Sequence, residues 1–127
     1  MELHRIMIPE EYGGGWVEIK AKRSWKDSNK IAGAGFRIRA GVTQPEIEQA
    51  QAEGRTADLM EMDTHGRLSA PLEVSIVETS PDLRPLGMPV RAWLDSDELS
   101  EDVGDFLTKA IEEYYAGRAR TADDRKI

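Results

Sequence analysis

Apolar residues recur at helical spacing most clearly near the end of the chain. Leu99, Val103, Phe106, Leu107, Ala110, Ile111, Tyr114 and Tyr115 follow an i, i+4, i+7, i+8 rhythm that lays one broad apolar stripe along a helix. Ser100 can cap that helix, and Glu101 and Asp102 lie where the helix dipole favours negative charge. Gly117 can end it in a left-handed conformation. Phe106, Leu107, Ile111 and Tyr114 are therefore expected to face the core. Gly104 breaks the stripe and points to close approach of another backbone.

Elsewhere the rhythm changes. Trp16-Val17-Glu18-Ile19-Lys20 alternates with period two, which predicts a strand showing Val17 and Ile19 on one face and Trp16 on the other. Before it, Glu2–Ile8 mixes apolar and polar residues up to Pro9, and Gly13-Gly14-Gly15 reads as a turn. Ser24-Trp25-Lys26-Asp27 has the form of a capped helix start. Through 28–40 helix and strand compete: Trp25, Ile31, Ala32 and Phe36 share a helical face, yet Gly35-Phe36-Arg37-Ile38-Arg39 suits a strand, apolar on one side and basic on the other. A short helix followed by a strand or turn is the favoured reading.

Thr43-Gln44-Pro45-Glu46 starts a further, largely polar helix that Gly54 should end. Ala57–Met62 is expected to add a short helical turn, and residues 63–71 a loop. Over 72–79 the alternation Leu72, Val74, Ile76 fits a strand, while a helix from Ser69 with Pro71 in its first turn fits nearly as well. A connector punctuated by Pro81, Pro85 and Pro89 follows, carrying Val90 and Trp93 near its end. The whole reads as a small single α+β domain over 1–117, with an N-terminal strand region, a C-terminal amphipathic helix and a flexible polar tail over 118–127.

Composition narrows the possible functions. Of the 127 residues, 39% are hydrophobic and 32% charged, which implies a modest core under a heavily solvated surface. The net charge of −7 opposes non-specific binding to nucleic acid. With no cysteine there are no disulfides, thiolate metal sites or cysteine nucleophiles. No apolar run approaches the roughly 20 residues of a membrane span, and Met1–Pro9 is too short and too charged for a signal peptide, so a cytoplasmic setting is expected.

Candidate chemistry is sparse. Glu61-x-Asp63-x-His65 alternates three potential ligands but lacks a fourth, and a solvated loop explains it better than a metal. Asp95-x-Asp97 opens like a calcium loop and fails at Leu99, Ser100 and Phe106. The glycine clusters at 13–15 and 33–35 have neither the lysine of a phosphate loop nor the spacing of a dinucleotide fingerprint. Neither histidine has a nucleophile motif beside it. No cofactor, no metal and no enzyme activity are expected. One asymmetry stands out: Lys20, Lys22, Arg23, Lys26, Lys30, Arg37 and Arg39 face a single acid, Asp27, in the segment 20–39. That basic run, flanked by Trp16 and Trp25, could meet nucleic acid, or it could meet the acidic helix start at 95–105 within one chain or between subunits. Overall acidity favours the second.

In order along the chain, Trp16-Val17-Glu18-Ile19, Ser24-Trp25-Lys26-Asp27, Val74 to Ser80, Gly87-Met88-Pro89-Val90 and Asp95 to Tyr115 resemble the parts of the tail assembly chaperones of long-tailed bacteriophages and prophages. The likeness is one of layout over about residues 14–117. Thr79 stands where that family often has tryptophan, and 33–70 matches nothing in it. The resemblance implies a chaperone in the host bacterial cytoplasm, a homo-oligomer that keeps the tape measure protein soluble during tail assembly and can also meet the major tail protein. It further implies partner contacts from Trp93 and the exposed part of the last helix, with Leu99, Val103 and Tyr115 as candidates, and a longer product made by ribosomal frameshifting. Other readings are a head–tail connector or tail terminator subunit that forms a ring, and a small nucleic-acid-binding regulator.

Overall fold

In the computed structural model, which describes the chain path over residues 1–124 and side chains over 1–118, two antiparallel strands come first. They are β1 (Leu3–Met7) and β2 (Trp16–Lys20), with Ile6 opposite Val17 and Met7 opposite Trp16. The turn between them depends on glycine, since Gly13, Gly14 and Gly15 adopt φ of 106°, 71° and 92°. At Gly15 space is also short, because a Cβ would lie 2.7 Å from the Ser80 hydroxyl. That hydroxyl accepts the Trp16 N–H at 3.0 Å, and the Ser80 N–H donates to the Trp16 carbonyl at 2.8 Å. The close approach thus continues the pairing of β5 (Ile76–Thr79) with β2, giving a sheet of order β1-β2-β5.

Local signals explain most of the helix boundaries. Helix α1 (Trp25–Gly33) starts with the expected capping box: Ser24 and Asp27 each accept the other's backbone N–H at 3.1 Å. A short strand follows it, β3 (Phe36–Ile38), so the favoured reading of 28–40 holds. Helix α2 (Gln44–Glu53) is capped by Thr43, carries Pro45 in its first turn and ends at a left-handed Gly54. A 3-10 turn at Thr56–Leu59 then leads into strand β4 (Met60–Met62), so Met60 and Met62 belong to a ribbon with β3 rather than to a helical turn.

The largest departure comes next. Residues 63–71 are not a loop but most of helix α3 (Thr64–Ser75), which continues to the start of β5. Asp63 caps it by accepting the Gly66 N–H at 2.9 Å. Gly66 and Pro71 are poor helix formers, and packing overrides them: Ala70, Leu72 and Ser75 are buried, and α3 lies against α1. Over 72–79 the chain is therefore helical to Ser75 and strand from Ile76, but Pro71 lies inside a helix that starts at Thr64 and not in the first turn of one that starts at Ser69. The proline-rich connector holds a short helix, α4 (Val90–Leu94). Arg84 fastens that connector: its Nε donates to Thr79 Oγ1 at 2.9 Å, and its Nη groups reach Glu78 and the Met88 carbonyl.

The last helix, α5 (Glu101–Asp124), begins as expected, with Ser100 Oγ accepting the Val103 N–H at 3.3 Å. It does not stop at Gly117, which lies within it, and 118–124 continue it where a loose tail was expected; the rest of that expected tail, 125–127, lies outside the described residues. Nor does Gly104 admit a neighbouring backbone, since a Cβ there would meet only the Leu99 side chain, at 3.9 Å. The core gathers Ile6 and Ile8, Val17 and Ile19, Leu72, Ile76, Trp93 and Leu94 around Val103, Leu107 and Ile111 of α5. Phe106 and Tyr114 flank that row, half-buried. The result is the α+β domain that the sequence predicts.

Candidate functional site

The structure redraws the expected partner surface. Trp93 is fully buried and Val103 is buried with it, so neither can meet a partner. The connector looks exposed in sequence because prolines punctuate it, but α4 turns Trp93 inward onto β2 and α5 residues of the core. Leu99 is half-buried against the same core. Tyr115 is half-buried and committed inward: its hydroxyl donates to the Lys20 carbonyl at 2.6 Å, and the Arg23 guanidinium lies 4.0 Å from its ring centre. Burial pushes the Tyr115 phenol above its ordinary pKa, against the opposing effects of Ser75 and Arg23.

A different apolar surface is left open. In the β3–β4 ribbon Phe36 pairs with Met62 and Ile38 with Met60, so alternation places all four side chains on one face. They are 59%, 65%, 44% and 37% exposed, respectively. Arg37 and Glu61, paired at 2.9 Å, occupy the opposite face. The ladder is extended by Asp63 N–H to Gly35 O and by Arg39 N–H to Leu59 O, both 2.9 Å. At its far end α2 packs on the adjoining 3-10 turn, and nothing from 36–62 joins the main hydrophobic cluster. Residues 36–62 thus form an arm whose stem bears an uncovered apolar face. The sequence held a trace of it in the alternation of Phe36-Arg37-Ile38 and Met60-Glu61-Met62, but two strands this short do not disclose which face is covered.

Charge is sorted unevenly over the rest of the surface. Lys20 is bound to Asp27 at 3.0 Å. Arg23 donates to Ser75 Oγ at 3.1 Å and reaches Glu112 at 3.4 Å. The basic segment therefore meets the last helix at Glu112 and not at its acidic start. Burial alone would raise the Asp27 carboxyl, but the Ser24 backbone N–H, the Lys20 ammonium and the Ser24 hydroxyl outweigh it and hold Asp27 below its ordinary value. Among the described residues, exposed Lys22, Lys26 and Lys30 form no ion pair, and neither do Asp97, Glu98, Glu101, Asp102 or Asp105.

The candidate metal ligands separate. Glu61 pairs with Arg37, Asp63 caps α3, and His65 Nε2 lies 2.9 Å from Asp95 Oδ1. Among the described residues no group of three or more histidines and carboxylates is arranged to hold a metal ion, and no helix is long and apolar enough to cross a membrane. The chain matches no protein-family model, no curated protein and no solved structure.

Proposed function

We propose that this protein is a non-catalytic binding protein that holds an apolar helical partner chain on the face of its 36–62 arm. In keeping with the resemblance in layout, the partner is the tape measure protein of a long-tailed phage, met in the host cytoplasm during tail assembly, with the major tail protein a further partner.

The observation that carries the reading is the uncovered face of Phe36, Ile38, Met60 and Met62. A two-stranded ribbon is marginal in water by itself, and a contiguous exposed apolar patch marks an interaction surface. Two of the four side chains are methionines, whose flexibility suits a surface that accepts varied apolar sequence along one long partner. Weak single contacts suffice where many copies bind one chain, and a net charge of −7 per copy keeps the complex dispersed. Of the basic segment, Lys20, Arg23 and Arg37 are engaged in ion pairs, which weakens a nucleic-acid reading. A ring-forming connector subunit is the second reading, favoured by lysines at 22, 26 and 30 and carboxylates over 97–105 that form no ion pair among the described residues and lie on different segments.

The test is the soluble fraction of a tape measure segment co-expressed with the wild type or with a Phe36→Ser/Met62→Ser variant. The wild type should raise it and the variant should raise it less. If the wild type leaves the segment insoluble and assembles by itself into a closed ring, the connector reading replaces this one. Equal rescue by the variant would mean that the arm face is not the contact.

A further inference from the structure

We propose that copies of this chain join head to tail, with Trp25 of one copy seated in the groove between α3 and the start of α5 of the next. The inference concerns surfaces other than the arm face and stands whatever partner that face binds.

Trp25 is 83% exposed on the first turn of α1, a cost in solvated apolar area that the fold itself does not need. Lys26 follows it directly, and Lys22 and Lys30 lie in the same segment, all three exposed and none of them in an ion pair among the described residues. The groove is its complement. Leu68 and Leu72 from α3, with Leu94 and Leu99, line it together with His65 and the carboxylates of Glu101 and Asp105. Its volume of 260 Å³ is below the roughly 300–1,000 Å³ of small-molecule pockets and on the scale of one large side chain. Leu68 is 57% exposed, and neither of these carboxylates has a cation of its own among the described residues. An exposed aromatic side chain on a lysine-bearing segment therefore complements a groove whose lining combines leucines with two carboxylates. A chain cannot fill its own groove with a Trp25 that remains solvent-exposed, so the pair is completed between copies. Because knob and hole lie on different elements, the contact is heterologous and propagates into a ring or a filament. Such a row would repeat the arm at regular intervals.

The test uses two variants at exposed positions, so that the fold is spared: Trp25→Ala removes the knob and Leu68→Lys spoils the hole. Mass is measured by light scattering and sedimentation at low and high salt. The wild type should exceed the monomer mass at low salt and dissociate as salt screens these charges. Each variant should be monomeric alone. Mixed together they should form a one-to-one pair and nothing larger, because Leu68→Lys still supplies Trp25 and Trp25→Ala still supplies the groove. A monomeric wild type at high concentration and low salt would overturn the proposal. Assembly of Trp25→Ala like the wild type, or a mixture that stays monomeric, would do so equally.

Discussion

Leu107→Ala tests the packing on which the whole fold depends. Leu107 is fully buried in the middle of the α5 row, one turn from Val103 and one from Ile111, and it shares a cluster with Val17, Ile19, Leu72 and Trp93. Those neighbours come from β2, α3 and the connector helix α4, each held by its own hydrogen bonds, so collapse around a truncated side chain is limited. The loss of transferred methyl groups plus a residual cavity should then cost about 3–4 kcal/mol, within the usual span for such a change. That is a large share of the roughly 5–15 kcal/mol available to a domain. At roughly 3–5 °C per kcal/mol for this chain length, the melting midpoint should fall by about 10–20 °C. Urea denaturation followed by tryptophan emission is the better measure, because Trp93 moves from the core to water while Trp25 is exposed throughout. The slope with denaturant should be unchanged and the midpoint lowered. Leu86→Ala, at a fully exposed position of the proline connector, is the control and should stay within about 0.5 kcal/mol of wild type. A Leu107→Ala change as small as that of the control would refute the placement of α5.

Three further outcomes follow from single contacts. Asp27 is held below its ordinary value of 3.8, so its stabilisation is complete above that pH and is lost as pH falls through the lower native value; Asp27→Asn should be less stable than wild type at neutral pH, with the gap closing in acid, and a gap independent of pH would exclude the Lys20 pairing as its cause. Gly66→Ala should destabilise α3 although alanine is the better helix former, because a Cβ there would lie 2.8 Å from the Ala34 carbonyl oxygen; a raised melting midpoint would show that α1 and α3 are farther apart than described. Tyr115→Phe should cost about 1 kcal/mol by leaving the Lys20 carbonyl without its hydroxyl donor; no loss in chemical denaturation would remove that bond from the account.

Legibility in the sequence tracked how local the deciding physics was. Ser24 with Asp27, Thr43 with Pro45, and Ser100 ahead of α5 each carry their reason within four residues, and all three helix starts stand where the pattern puts them. The α5 stripe was legible because 3.6-residue periodicity repeats over several turns. Helix α3 was not, since Gly66 and Pro71 argue against it locally and only burial of Ala70, Leu72 and Ser75 restores it. Trp93 misled for a related reason. Proline punctuation says that a segment is not one long helix, but it does not say which way a tryptophan beyond it will face. At the other end of α5 the error was reversed, for Gly117 offers an end that the helix does not take. The candidate site was least legible of all: Phe36, Ile38, Met60 and Met62 become one face only when two distant strands pair in one register.

The distribution of apolar residues links the fold to the proposals. Strands β1, β2 and β5 with α4, α5 and the end of α3 supply the main cluster. Between Trp25 and Leu68 the chain places six large apolar residues in solvent: Trp25, Phe36, Ile38, Met60, Met62 and Leu68. A fold that needed these residues for its own stability would have drawn them inward, and one indifferent to them would tolerate polar replacements. Their exposure follows from geometry: the arm touches the body little, and α1 turns Asp27, not Trp25, towards it. The two groups also differ in what surrounds them. The ribbon face lies on a stem backed by a self-satisfied Arg37–Glu61 pair, which suits an apolar occupant of variable sequence. Trp25 lies on a segment whose Lys22, Lys26 and Lys30 form no ion pair among the described residues, which on the head-to-tail proposal favours an acidic neighbour. On the two proposals, then, the ribbon face would serve a succession of partners and Trp25 a single kind of neighbour selected by charge.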